Sequence, residues 1–188
     1  MLKSMITVGI DEVGRGALAG PVVSCAVILK PGFNSDLVID SKKIPPKKRL
    51  LIAEFLMDNL VDFGIGVVCS FIIDKINILK ATKQAMHIAL SSIKAHYDYV
   101  VIDAVRLNNI KTPFTSPIKG EDKYKEVAAA SIIAKVYRDR LLQGLHRLYP
   151  MYGWFENKGY GTKQHIESIK KYGITPLHRK TFVRQYVE

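Results

Sequence analysis

Two rhythms of apolar and polar residues divide the chain. Short apolar runs at residues 6–10, 22–29, 63–70 and 99–102 read as buried strands, the second almost wholly apolar. Residues 116–118 offer a fifth, shorter strand. Elsewhere the apolar residues recur at helical spacing. Leu51, Ile52, Phe55, Leu56 and Leu60 mark a helix over residues 47–60, with Pro46 suited to its first turn. Ile78, Leu79, Ala85, Met86, Ala89, Leu90 and Ile93 line one side of a long helix over 74–96. A third helix covers 123–148, where Ala128, Ala129 and Ala130 allow close packing. Residues 153–161 read as loop, 162–171 as a helix closed by Gly173, and 178–186 as a last short helix. Strands interspersed with helices predict an α/β domain with a mixed central sheet flanked by helices. The expected division is a main domain over 1–145 and a helical extension over 146–188, joined as one compact unit.

Composition narrows the class. The 188 residues are 48% hydrophobic and 24% charged, which supports one packed core and excludes a disordered or disulfide-stapled chain. Cys25 and Cys69 lack CxxC spacing and read as buried, reduced thiols. No apolar run reaches the ~18 residues of a membrane span, and the opening residues lack the apolar core of a signal peptide. A cytoplasmic monomer with no membrane contact is therefore the expectation. The formal net charge of +11 predicts a polyanionic partner. Residues 119–188 hold 14 Lys/Arg against 7 Asp/Glu, together with seven of the nine tyrosines. Basic residues interleaved with aromatics suit a groove for nucleic acid, although a solvated helix face over core aromatics has the same composition.

Acidic residues in so basic a chain need a reason. Asp11 and Glu12 close the first strand, and Asp103 closes a later one. Parallel neighbours would bring these ends to one edge, where open α/β sheets place their sites. Gathered carboxylates repel one another unless a cation lies between them, and oxygen-only ligands suit Mg²⁺ or Mn²⁺. Glu121 and Asp122 supply a candidate fourth acid. Such a cluster in a basic groove implies phosphodiester hydrolysis with two divalent ions. The glycines of residues 13–20 follow the first strand but match neither a dinucleotide fingerprint nor a phosphate-binding Walker loop. They would instead let backbone amides approach a substrate hydroxyl or phosphate, with Arg15 adding charge. A tight hairpin turn is the plain alternative.

These residues also form a familiar series. Gly9-Ile10-Asp11-Glu12-Val13-Gly14-Arg15-Gly16, continuing Leu18-Ala19-Gly20-Pro21-Val22-Val23, resembles the opening of ribonuclease HII. Asp40-Ser41-Lys42-Lys43, the stretch from Asn77 to Met86, the run from Ala128 to Asp139, Asn157 to Thr162, and His178 to Phe182 follow in the same order. The resemblance spans residues 6 to about 183. It implies a ribonuclease H-like fold with a C-terminal helical extension that binds substrate. It also implies endonucleolytic cleavage of RNA in RNA–DNA hybrids and nicking 5′ of ribonucleotides embedded in duplex DNA, leaving 3′-hydroxyl and 5′-phosphate ends. The associated role is ribonucleotide removal in replication and repair.

Residue by residue, the resemblance assigns catalysis and metal binding to Asp11, Glu12 and Asp103. It assigns reading of the ribose 2′-hydroxyl to Gly14, Arg15 and Gly16, and junction sensing to Tyr160. The fourth acid departs from the family pattern: spacing lands on Glu121 where an Asp is usual, and Asp122 follows as the alternative. Ser41, Lys42, Lys43, Lys135 and Arg138 are expected on flanking phosphates, with solvated surface charge as the plain alternative. Three rivals stand beside this reading. They are a ribonuclease HIII-like enzyme, for which the stretch before residue 6 leaves no room for an added domain, another nuclease of the superfamily, and a non-catalytic nucleic-acid-binding module.

Overall fold

The computed structural model describes residues 5–187. Its centre is a five-stranded sheet of order β3-β2-β1-β4-β5, built from β1 (Thr7–Val13), β2 (Val22–Leu29), β3 (Leu60–Val68), β4 (Tyr99–Ile102) and β5 (Phe114–Thr115). β1 pairs antiparallel with β2 and parallel with β4, the register placing Ile10 opposite Ile102. The ends of β1 and β4 therefore meet at one edge, as the sequence required for a carboxylate cluster.

Both faces of the sheet are covered. β2 is buried along its whole length, which explains a run that is apolar except for Ser24. Alternate residues Val23, Cys25 and Val27 pack under α1 (Pro46–Met57) and α4 (Lys125–His146). On the other face, Val8, Ile10, Ala26 and Ile28 pack with Met86, Ala89 and Leu90 of α3 (Ile78–Ser91). A separate cluster joins Leu18, Ala19 and Leu142 to Tyr152, Trp154, Ile169 and Val183. It fastens α5 (Trp154–Asn157), α6 (Lys163–Tyr172) and α7 (Lys180–Val187) to the loop after β1. Among the described residues no helix is long and apolar enough to cross a membrane.

Several expectations change. The long helix over 74–96 is two helices, α2 (Ser70–Ile76) and α3, broken at Asn77. Asn77 takes a φ of 69° and its side chain accepts the Lys80 N–H at 3.1 Å, capping α3. The third edge strand begins at Leu60, so the first helix stops sooner than its apolar spacing indicated. The fifth strand lies at Phe114–Thr115 rather than 116–118, where it pairs with Val100 and Val101. The loop over 153–161 contains the short helix α5. Cys25 is buried as expected, but Cys69 is exposed at the start of α2.

A candidate active site at the ends of β1 and β4

Asp11 and Glu12 lie inside β1 rather than after it. α4 crosses β1 so closely at Gly9 that a Cβ there would strike the backbone of Glu126 and Val127. That contact brings the N-terminal half of α4 down over the two acids. The Ser131 side chain lies beside the Asp11 carboxyl and shares a 2.9 Å hydrogen bond with Ser41. The Asp11 carbonyl accepts from the Ser24 hydroxyl at 2.7 Å, and Asp11 Oδ1 accepts the Glu12 N–H at 2.7 Å.

Asp103 follows β4 directly, and its N–H donates to the Ile10 carbonyl at 3.0 Å. Ala104 then takes a φ of 46°, a left-handed turn uncommon for alanine, which ends the strand abruptly. Asp103 Oδ1 accepts the Gly120 N–H at 2.8 Å. This bond fastens the 3₁₀ turn Gly120–Asp122 over the strand end and sets Glu121 beside Asp103.

The electrostatics follow from crowding. Burial, then Glu12 and Asp103, push the Asp11 carboxyl well above the ordinary range, against the pull of Ser131. Burial raises Glu12 as well, with Asp103 adding to it and Arg15 opposing at 3.3 Å. Burial and Asp103 raise Glu121. Asp122 behaves differently: exposed and bonded to Lys43 at 2.8 Å, it is held below the ordinary range. The two adjacent acids thus face different neighbours, Glu121 toward Asp103 and Asp122 toward Lys43.

Glu12 Oε2 and Glu121 Oε2 are buried without a hydrogen-bond partner among the described residues. Buried carboxylate oxygens without donors suit a hard cation, and the donor set here is all oxygen. No three His, Cys, Asp or Glu side chains already converge as a metal cage among the described residues; the acids approach one another in pairs. A cavity of about 350 Å³ opens beside Asp103 and Glu121, bordered by Lys42, Lys43 and Lys119.

The glycine loop runs from residue 14 to 21 alongside this edge. Gly14 has a φ of +93°, and a Cβ there would strike the Arg138 guanidinium. Arg15 and Gly16 are exposed. Tyr160, half-buried, lies beneath Arg138 at 5.2 Å and Lys135 at 5.7 Å from its ring centre. The structure therefore brings together Asp11, Glu12, Asp103 and Glu121, with the glycine loop next to them and Tyr160 across it.

Other expected phosphate contacts are placed elsewhere. Arg138 is fully buried and donates to the carbonyls of Pro21, Lys158 and Ala19 at 2.9, 2.8 and 3.1 Å. It is a structural cation, not a surface one. Ser41 is buried against Ser131 and is likewise removed from a phosphate. Lys135 is partly buried and paired with Asp139 at 2.7 Å. Lys42 remains exposed, and Lys43 is exposed on Asp122. Two residues with no assigned role now have one. Ser131 was visible as a lone polar residue inside an apolar helix face. Arg179, fully buried, bonds the Gly14, Arg15 and Gly20 carbonyls, and nothing in its basic surroundings marked it as internal.

Comparison with known proteins agrees with this layout. The ribonuclease HII family model matches residues 8–186. A ribonuclease HII of Caldanaerobacter subterraneus subsp. tengcongensis is 44% identical over 96% of this chain and 75% of its own length. One from Acetivibrio thermocellus is 48% identical over 95% of this chain and 70% of its own. The crystal structure of ribonuclease H2 from Pyrococcus horikoshii OT3 superposes with a TM-score of 0.82 at 27% identity, covering 97% of both chains. The mixed sheet, flanking helices and C-terminal helices are those of the ribonuclease H-like fold.

Proposed function

The chain belongs to the ribonuclease HII family, and from that membership and the site geometry we propose that it is a metal-dependent endonuclease for RNA–DNA hybrids that also nicks duplex DNA 5′ of an embedded ribonucleotide. Ends of 3′-hydroxyl and 5′-phosphate would result, and the cellular role would be ribonucleotide removal in the cytoplasm during replication and repair. One observation carries the reading: Asp11, Glu12, Asp103 and Glu121 line the edge where parallel strands β1 and β4 end, and Glu12 and Glu121 each keep a buried oxygen with no hydrogen-bond partner among the described residues.

Asp11, Glu12 and Asp103 are the metal ligands in this reading, and Glu121 is the fourth acid. Their oxygen donors suit Mg²⁺ or Mn²⁺, and two such ions when bound would supply Lewis acidity at the scissile phosphate. The protein's own contribution is placement. Ser131 steadies Asp11, and Gly120 steadies Asp103 through its N–H. The exposed amides of Arg15 and Gly16 suit the ribose 2′-hydroxyl, the group that separates RNA from DNA. Tyr160 would pack on the following sugar and disfavour a second hydroxyl there. Lys42 and Lys43 would hold flanking phosphates, and residues 146–188 would form the extension that binds the duplex.

The test uses a DNA duplex with one ribonucleotide, incubated with Mg²⁺, Mn²⁺ or chelator and resolved on a denaturing gel. A metal-dependent nick 5′ of the ribonucleotide is expected. Asp103→Asn should still bind and lose cleavage by at least about a hundredfold. Cleavage of a long hybrid without that nick would remove single-ribonucleotide recognition. Binding without any cleavage would favour a non-catalytic module.

A further inference from the structure

Two buried arginines grip the glycine loop from beneath, and their geometry determines which way its amides face. Arg179 donates to the Gly14 and Arg15 carbonyls at 2.7 Å each and to the Gly20 carbonyl at 3.0 Å. Arg138 takes the carbonyls of Ala19 and Pro21 in the same loop and that of Lys158 before Tyr160. A trans peptide directs its C=O and the following N–H to opposite sides. The Gly14 carbonyl turned down onto Arg179 therefore turns the Arg15 N–H up and outward. The Arg15 carbonyl does the same for the Gly16 N–H. Both residues are exposed, and neither amide has a hydrogen-bond partner among the described residues.

The grip is specific in its chemistry. Each guanidinium faces three neutral carbonyls, and among the described residues no carboxylate hydrogen-bonds either one. Arg179 is itself fixed from behind. It lies 5.2 Å from the Phe182 ring, and Asp74 caps the following helix by accepting from the Lys180 and Thr181 N–H groups. A lysine would keep the charge but lacks the planar fork that spans carbonyls of three residues.

We propose that Arg179 is a positioning residue for ribose recognition: by holding the Gly14 and Arg15 carbonyls inward it aims the Arg15 and Gly16 amides at the sugar 2′-oxygen. This rests on the proposed reading that the loop meets the ribose. Arg138 fixes the opposite rim, tying the same loop to the segment that carries Tyr160. A purely structural role would change affinity for every duplex alike. A role in aiming the amides changes the preference for one sugar over another.

The test compares wild type with Arg179→Lys, using fluorescence anisotropy in chelator. The probes are a duplex with one ribonucleotide and the all-DNA duplex of the same sequence. Wild type should prefer the ribonucleotide duplex, and Arg179→Lys should lose about tenfold of that preference, the worth of one aimed hydrogen bond. Arg140→Lys, at an exposed pair with Glu54, should keep the preference in full. Full preference in Arg179→Lys would overturn the positioning role while leaving the nuclease reading intact. No preference in wild type would overturn the ribose reading of the loop and this inference with it. Should circular dichroism show Arg179→Lys unfolded, amide shifts in wild type decide. The Arg15 and Gly16 N–H resonances should move with the ribonucleotide duplex and not with all-DNA. Equal movement with both would overturn the proposal.

Discussion

Acid should weaken this fold at one identifiable place. His178 is 1% exposed, wedged between Tyr152, Trp154 and His165. Its Nδ1 accepts the Thr175 N–H at 3.0 Å, so its proton is on Nε2, which donates to His165 Nε2 at 3.1 Å. His165 Nε2 also accepts from the Trp154 indole at 3.1 Å, which leaves its own proton on Nδ1 for the Tyr160 carbonyl at 2.9 Å. Every nitrogen is assigned with both rings neutral, and a second proton on His178 would displace the Thr175 N–H from Nδ1, leaving only the Thr175 hydroxyl oxygen to accept it. Burial and the neighbouring His165 accordingly lower His178 from 6.5 to about 4. The sign follows. Between those values the unfolded chain takes up a proton that the folded chain refuses, so stability falls as pH falls. At pH 5 the loss from this one group is about 2 kcal/mol, or roughly 4–8 °C in Tm for a chain of this size. The raised carboxyls of Asp11 and Glu12 act in the opposite direction, so wild type alone is an unclean witness. His178→Gln removes the titration and leaves those acids in place. Urea unfolding of both proteins at pH 7.5 and pH 5.0 isolates the term. The variant should be less stable at pH 7.5, and its deficit should shrink by about 2 kcal/mol at pH 5.0. A deficit that stays constant between the two pH values would refute the neutral, two-tautomer network.

Two further predictions concern the site. Glu121→Gln should lower turnover by about a hundredfold or more, whereas Asp122→Asn, whose carboxylate is engaged by Lys43, should change it by less than about threefold. The reverse ranking in single-turnover cleavage would make Asp122 the fourth acid. Lys42→Ala should flatten the slope of log K against log salt by about 0.9 for duplex binding, as expected for one lost phosphate contact. An unchanged slope would leave Lys42 as solvated surface charge.

What the sequence disclosed, and what it withheld, follow a physical division. β2 and β4 were legible because burial on both faces demands a nearly continuous apolar run, broken in β2 only by Ser24, whose hydroxyl is bonded to the Asp11 carbonyl. The break between α2 and α3 was not, since the apolar period continues across Asn77 and only that residue's capping bond ends the helix. β5 is two residues long, too short to have a period, and its position is fixed by pairing with β4. The acids of β1 and β4 stood out because carboxylates closing apolar strands are conspicuous in a basic chain. The burial of Arg138 and Ser41 was not legible for the opposite reason. A cation or hydroxyl looks the same in sequence whether it meets a phosphate or the protein's own backbone. The acceptors that bury Arg138 and Arg179 lie as far as 119 and 165 residues away along the chain.

α4 ties the parts of the candidate site together. Ser131, Lys135, Arg138 and Leu142 recur every three or four residues and so share one helical face. Along that face Ser131 lies beside the Asp11 carboxyl, Lys135 and Arg138 lie over the Tyr160 ring, Arg138 holds the glycine loop, and Leu142 packs with Leu18 and Ala19. Ser131 and Arg138 are two turns apart, about 10 Å along the axis. The separation between the carboxylate edge and the loop beside it is thus set by helix pitch and by a close helix–strand contact at Gly9. A loop without regular structure takes its position from a rigid neighbour. Here that neighbour is the same helix that places Ser131 beside Asp11, so any shift of α4 would move the glycine loop and the surroundings of the Asp11 carboxylate together.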